Sequence, residues 1–294
     1  MKIKAFLAAL LMLVAGGAAA AARPGMVVEG VQMPAWVEHA NGMRDPLVPG
    51  AALGNKDRIY TGPGARALLR LADGSTVKLG ENGILALDDL GQRKIKLADM
   101  VTASLDVVSG AFRFTTQALY KFRGERDIKV KIVTITAGIR GTDLWGKADK
   151  ARDVVCLIEG KIAVVREQEA FTMDQPLSFY VAPKNAPAQP VAPVSREQLA
   201  LWSAETEIAA GAGAARVGGK WHVYVADAGN QEDALRAYDR FRNAGYAADI
   251  RPVTDQGGTI YRVRISHLAS QQEAAALAAR LKTQLGVTDP KVSR

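Results

Sequence analysis

Two five-residue segments, 40 positions apart, hold the residues best suited to recognition chemistry: Trp221-His222-Val223-Tyr224-Val225 and Tyr261-Arg262-Val263-Arg264-Ile265. Each alternates apolar and polar residues, the period of a half-buried strand. Val223, Val225, Val263 and Ile265 fall on one face, and His222, Tyr224, Arg262 and Arg264 on the other. Flat polar rings stack on sugars or bases, and guanidinium groups grip carbonyls and carboxylates with a planar fork. Four such residues on an uncovered sheet suit an extended polymer. The same alternation also describes an ordinary solvated sheet face, and spacing alone leaves both open.

The other chemistry-bearing residues do not form a catalytic set. His39, His222 and His267 lack metal-ligand spacing. No nucleophile motif, paired Cys/His motif or phosphate-cradling loop occurs. Glycan cleavage needs two positioned carboxylates, and Asp73, Asp143 and Glu159 each sit in turn sequences and read as structural. The expectation is a non-enzyme with no metal site and no cofactor.

The elements that position the four recognition residues repeat. Asn230 matches Ser270, Ala234 matches Ala274 and Phe241 matches Leu281 at the same offset. Helices are predicted over 231–244, N-capped by Asn230 and stopped by Gly245, and over 271–285, with a Ser270/Glu273 capping box and Gly286 as its stop. Strands at 248–253 and 290–293 complete β-α-β-β-α-β, an α+β ferredoxin-like module over residues 219–294.

Residues 24–182 read as an all-β sandwich or roll. Short apolar or β-branched runs at 27–28, 66–71, 76–79, 84–87, 95–97 and 130–135 are separated by turn signals. Asp73-Gly74 and Glu159-Gly160 each mark a hairpin, the latter between Val154–Ile158 and Lys161–Val165. Ile139-Arg140-Gly141-Thr142 reads as a strand that bends at Gly141, with Asp143 or Asp73 as a carboxylate partner for Arg140. Asp73, Gly74, Arg140, Gly141 and Thr142 are assigned to fixing backbone. Residues 183–218 form a Pro/Ala linker with a short helix over 196–209, and 211–219 is small and flexible, the place of the domain boundary.

Composition sets the compartment. The chain has 294 residues, a formal charge of +8 and one cysteine. Lys2, Lys4, an apolar run from Ala5 to Val14 and small residues through Ala22 read as a secretory signal peptide over 1–22. Nothing later reads as a membrane span. Cys156, within Val154–Ile158, reads as a small buried hydrophobe. The basic excess favours an acidic or polyanionic partner, but no basic run or nucleic-acid motif is present.

Two family resemblances follow. Gly54, Asp57, Ile59, Thr61 and Gly62, the Leu71–Val77 hairpin with Asp73-Gly74-Ser75, Ser109–Phe112, and Thr134–Asp143 with its Arg140-Gly141-Thr142 resemble the FecR-type periplasmic domain. Ile135 stands where that family has proline, and the aromatic falls one place late, at Trp145. Its best-known members regulate extracytoplasmic sigma factors across a membrane. This chain lacks their cytosolic segment and internal span, which points to a free-standing envelope protein.

Lys220–Val225, Ala234-Leu235, Gly245-Tyr246, Tyr261–Ile265 and Ala274–Leu281 resemble a SPOR domain. That resemblance implies a four-stranded sheet backed by two helices, binding peptidoglycan glycan strands stripped of stem peptides. Its ligand positions carry over to Tyr224, Asp227 and Arg262, with Ile260 and Ser293 alongside. Tyr224 and Asp227 depart from the family's usual first strand, and Ser266 replaces a glycine. An RNA-binding module of the same topology is the rival, but its aromatic third-strand motif is missing.

The sequence therefore predicts a periplasmic, non-catalytic protein of a Gram-negative envelope. His222, Tyr224, Asp227, Arg262 and Arg264 would hold peptidoglycan glycan, and the β domain, flexibly tethered, would be presented to an envelope protein partner. The alternative is a signal-sensing protein acting through the β domain on a transmembrane regulator.

Overall fold

The computed structural model describes residues 25–95, 98–116, 124–255 and 257–294. The expected signal peptide lies outside them, as does most of the expected strand at 95–97.

Short alternating strands open the first domain: β1 (Met26–Gln32), β2 (Ala35–Glu38), β3 (Arg44–Pro46), β4 (Ala52–Leu53), β5 (Arg58–Thr61), β6 (Arg66–Leu71), β7 (Thr76–Leu79), β8 (Ile84–Leu87) and β9 (Gly91–Ile95). Their inward residues, among them Val28, Ile59, Leu69, Leu79 and Leu85, are fully buried. The turn motifs hold them by side-chain bonds. Asp57 accepts the Gly54 N–H at 2.9 Å. Thr61 donates to the Gly80 carbonyl at 2.5 Å and accepts the Gly83 N–H at 2.9 Å. Asp73 accepts the Ser75 N–H at 3.0 Å and its hydroxyl at 2.7 Å, closing the β6–β7 hairpin.

Then come β10 (Ala98–Thr115), β11 (Glu125–Ile132), β12 (Ile135–Ala148), β13 (Arg152–Arg166), β14 (Glu169–Met173), β15 (Ser178–Pro183) and β16 (Ala192–Pro193). β10 organises the domain: it pairs antiparallel with β7, β8, β9 and β12, and parallel with β11. Two expectations are corrected. The run 130–135 is broken by a tight turn at Val133-Thr134 between β11 and β12. Glu159-Gly160 is not a hairpin: β13 runs straight through it. Gly160, at φ +89°, lies in a bulged stretch where a Cβ would come within 2.3 Å of the Gly141 carbonyl. The two halves of β13 then pair with β15 and β14.

α1 (Arg196–Thr206) packs on the outer face of this sheet. Ser195 caps it by accepting the Gln198 N–H. Trp202 stacks on Trp145, with centroids 4.6 Å apart and planes 5° apart. Cys156, Val154 and Val181 belong to the same second apolar cluster. The helix ends three residues before the expected Ala209. Glu207, its C-cap, binds Lys78 and lies 3.4 Å from Arg113.

The remaining elements are β17 (Ala214–Arg216), β18 (Trp221–Ala228), α2 (Gln231–Asn243), β19 (Ala248–Asp255), β20 (Gly258–Leu268), α3 (Gln271–Leu285) and β21 (Lys291–Ser293). The sheet order is β19–β20–β18–β21. Ala234, Phe241, Leu277 and Leu281 seat both helices on one face. Asn230 and Ser270 cap them as predicted.

The segment expected to be flexible is instead pinned. β17 pairs with β1 on one side and meets β20 at Ala215–Leu268 on the other. The capping box is only half formed: Ser270 accepts the Glu273 N–H, but the Glu273 carboxylate turns to the linker. It accepts the N–H groups of Gly211, Gly213 and Ala214 at 2.8, 2.6 and 2.8 Å. Arg280 donates to the carbonyls of Met33 and Ala212 at 2.8 and 2.5 Å, and Arg242 reaches Asp45 at 2.5 Å. Gly245 lies so close to Trp36 that a Cβ would come within 2.6 Å of its ring. The apolar core consequently runs unbroken from the first domain into the second.

Candidate functional site

The face of the β19–β20–β18–β21 sheet away from the helices carries the predicted residues. Residues opposite one another in a ladder share a face. Tyr224 stands opposite Lys291 on β21 and Arg264 on β20, and Arg264 stands opposite Asp249 on β19. Lys291, Tyr224, Arg264 and Asp249 thus form one row across four strands. Asp227, Arg262 and Arg251 form a second row, and His222 pairs with Ser293 beyond the first.

Strict alternation would put Asp227 on the helix side with Val223. The register shifts between Tyr224 and Ala226, so Val225 is the extra residue of a β-bulge. Ala226 takes the core-side place opposite Val263, and Asp227 emerges beside Tyr224. Val225, the bulged residue, and Ala226 both remain partly buried against the core, with Ala226 holding the ladder place opposite Val263.

The two arginines differ. Arg264, with 16% of its side chain exposed, is held by Asp249 at 3.0 Å. The same carboxylate takes Arg251 at 3.1 Å and the Ser266 hydroxyl at 2.6 Å. Burial works against ionising Asp249, but the bonds from Ser266 and Arg264 outweigh it and hold the carboxyl below its ordinary value. Arg262 is looser. Its guanidinium lies 5.6 Å from the Tyr224 ring centre and 3.6 Å from Asp227, and its Nε makes no hydrogen bond. His222 is pushed down by burial and by the Arg264 charge, which favours the neutral ring, and its Nδ1 has no partner. Ile260 pairs with Val253 toward the end of the β19–β20 ladder.

Asp249, Arg251 and Lys291 escaped the sequence reading. Alternation along 248–253 puts Asp249 and Arg251 on one face and could have found them. Lys291 needed the ladder partner.

In the first domain, the carboxylates proposed for Arg140 have other partners. Asp143 makes a bidentate pair with Arg113, at 2.9 and 2.6 Å. Asp73, fully buried, binds Arg126 at 2.6 Å. The side chain of Arg140 lies outside the described residues. Thr142 donates to the Lys161 carbonyl at 2.9 Å, and its N–H bonds Thr116. Gly74, Gly141 and Thr142 all sit in backbone turns or bulges. Among the described residues, no group of three or more His, Cys, Asp or Glu could hold a metal ion, and no helix is long and apolar enough to cross a membrane.

Family models match both domains. The family model "SPOR domain" matches residues 217–292, and the model "FecR protein" matches residues 57–163. The chain carries a FecR domain followed by a C-terminal SPOR domain. No curated protein matches the chain. Two crystal structures of a candidate anti-sigma factor from Parabacteroides distasonis align at 13% and 14% identity, each with a TM-score of 0.39. They cover 78% of this chain and 92% and 91% of theirs.

Proposed function

We propose that this is a non-catalytic envelope protein that binds peptidoglycan glycan strands on the bare face of its SPOR sheet. One observation carries the reading: Lys291, Tyr224 and Arg264 span three strands in a row, with Arg262 beside Tyr224, giving an aromatic ring flanked by cations on an uncovered surface. A sugar ring stacks on Tyr224 while guanidinium groups bond its carbonyls and carboxylates. Arg264 is pre-set by Asp249, so little ordering remains to be done on binding.

The FecR domain supports a regulatory role: it would meet a partner in the periplasm and relay an envelope state. The docked interface makes that more specific than a loose tether would. Wall attachment through the SPOR sheet holds the FecR domain in one orientation.

The test is co-sedimentation of the full chain with purified sacculi, before and after an amidase strips the stem peptides. Binding that rises on stripping, and is lost in Tyr224→Ala/Arg262→Ala with the fold intact, is the expected result. Unchanged sedimentation of that variant would remove this face as the site.

A further inference from the structure

The SPOR sheet does not end at β20. Ala215 of β17 is opposite both Val31 of β1 and Leu268 of β20, and all three are buried on the core side. Residues one step from a core-side position face the other way. Arg216 and Gln32 therefore share a side with the bare SPOR face. On β6, Leu68 lies opposite Gly30 and Arg66 opposite Gln32, with Ala67 and Leu69 pointing into the core. By strand order this side runs from Tyr224 and Arg264 across β17 to the outer side of β1 and β6, where Thr206–Ile208 lie beside Lys78 of β7 and bound it. With strands about 4.8 Å apart, β20 to β6 is only about 14 Å.

The charge along this extension is unbalanced. Arg70 is paired with Glu29, Lys78 with Glu207, and Arg113 with Asp143 and Glu207. Arg66 and Arg216 form no ion pair among the described residues. Arg66 bonds only the carbonyl of its neighbour Ala65, and its Nε is buried without a partner. A groove of about 200 Å³ opens here, lined by Leu68, Lys78, Thr206, Glu207, Ile208 and Arg216.

We infer that the FecR domain contributes a second glycan-binding segment, in which Arg66 and Arg216 bind the carboxylates of a strand running off the SPOR sheet. The occupant is an anionic glycan, argued from the two uncompensated guanidinium groups and from continuity with the SPOR face. The inference rests on the glycan reading of that face. It gives the FecR domain a direct part in wall binding, and it makes strand length the specificity variable.

The experiment uses the full chain, with peptide-free glycan strands of graded length as the probe. Wild type should bind long strands more tightly than short ones. Arg66→Ala/Arg216→Ala should weaken long-strand binding roughly three- to tenfold, the scale of two partly exposed charge contacts, and leave short-strand binding unchanged. Arg66→Gln/Arg216→Gln serves if the alanine variant is unstable. Equal wild-type affinity for long and short strands, or an unaltered length dependence in the variant, overturns the inference while leaving the SPOR site standing. No wild-type binding at any length overturns the glycan reading itself, and this inference with it.

Discussion

Glu273 accepts the backbone N–H of Gly213 at 2.6 Å, across 60 positions of sequence. Helix α3 thereby holds the chain that leads into its own domain. With the flanking bonds to Gly211 and Ala214, one buried carboxylate satisfies three linker donors and sets β17 against β1. The two domains share a core and a strand as a result.

Replacing Glu273 with alanine leaves those three donors without their acceptor. The loss should be roughly 2–3 kcal/mol, the scale of charged hydrogen bonds lost in a buried setting. Urea unfolding followed by Trp fluorescence should show one transition in wild type and two in the variant. A single, unshifted transition would mean the domains are not coupled through this residue.

Gly160→Ala tests the bulge in β13. The added methyl meets the Gly141 carbonyl, and the positive φ adds about 1–2 kcal/mol of strain for a residue with a Cβ. A drop of at least about 2 kcal/mol in thermal or urea stability is expected, measured against Gly42→Ala, where φ is also positive but nothing lies within 4 Å. Equal effects at the two positions would discard the close-packing argument.

Acid should weaken the SPOR module in two steps. His222 and Asp249 both have folded pKa values below their ordinary 6.5 and 3.8. A depressed pKa contributes stability that is complete above the unfolded value and is lost as pH falls through the folded one. The first loss therefore begins below the ordinary histidine value, and the second below the ordinary carboxylate value. Asp249→Asn should remove the Asp249 contribution to the lower step and, by deleting a charge that raises His222, move the upper step further down in pH. Urea midpoints across the acid range, variant against wild type, check it; identical curves would rule Asp249 out.

The Cys156 thiol is pushed up to about 12 by burial, with Asp143 adding to it. It should not react with a disulfide reagent at about pH 8, where thiolate is the attacking form, and should react fully once the chain is unfolded. Prompt labelling of the folded protein would contradict its place beside Trp145 and Val181.

Much of this architecture is written locally. Asn230 and Ser270 start the helices, and Gly245 and Gly286 end them, because caps act within one turn. Asp73-Gly74 builds its hairpin from bonds to a residue two positions on. The alternation at 221–225 and 261–265 identified Tyr224, Arg262 and Arg264 as sharing a face. Glu159-Gly160 shows the limit: a glycine at positive φ serves a hairpin or a bulge equally well, and the choice was made by Gly141 on the neighbouring strand.

What the sequence alone determined is the order of elements within the SPOR domain, the two domain types and the polar face of the SPOR sheet, all set by residues within a few positions of one another. The tertiary structure alone decided the partners of Asp73 and Asp143, the bulge that turns Asp227 outward, the Asp249 brace on Arg264, and the clamp of Glu273 on the linker. Each of these joins groups that are neighbours only after strands have paired, so burial and ladder register choose among partners that local pattern leaves equivalent.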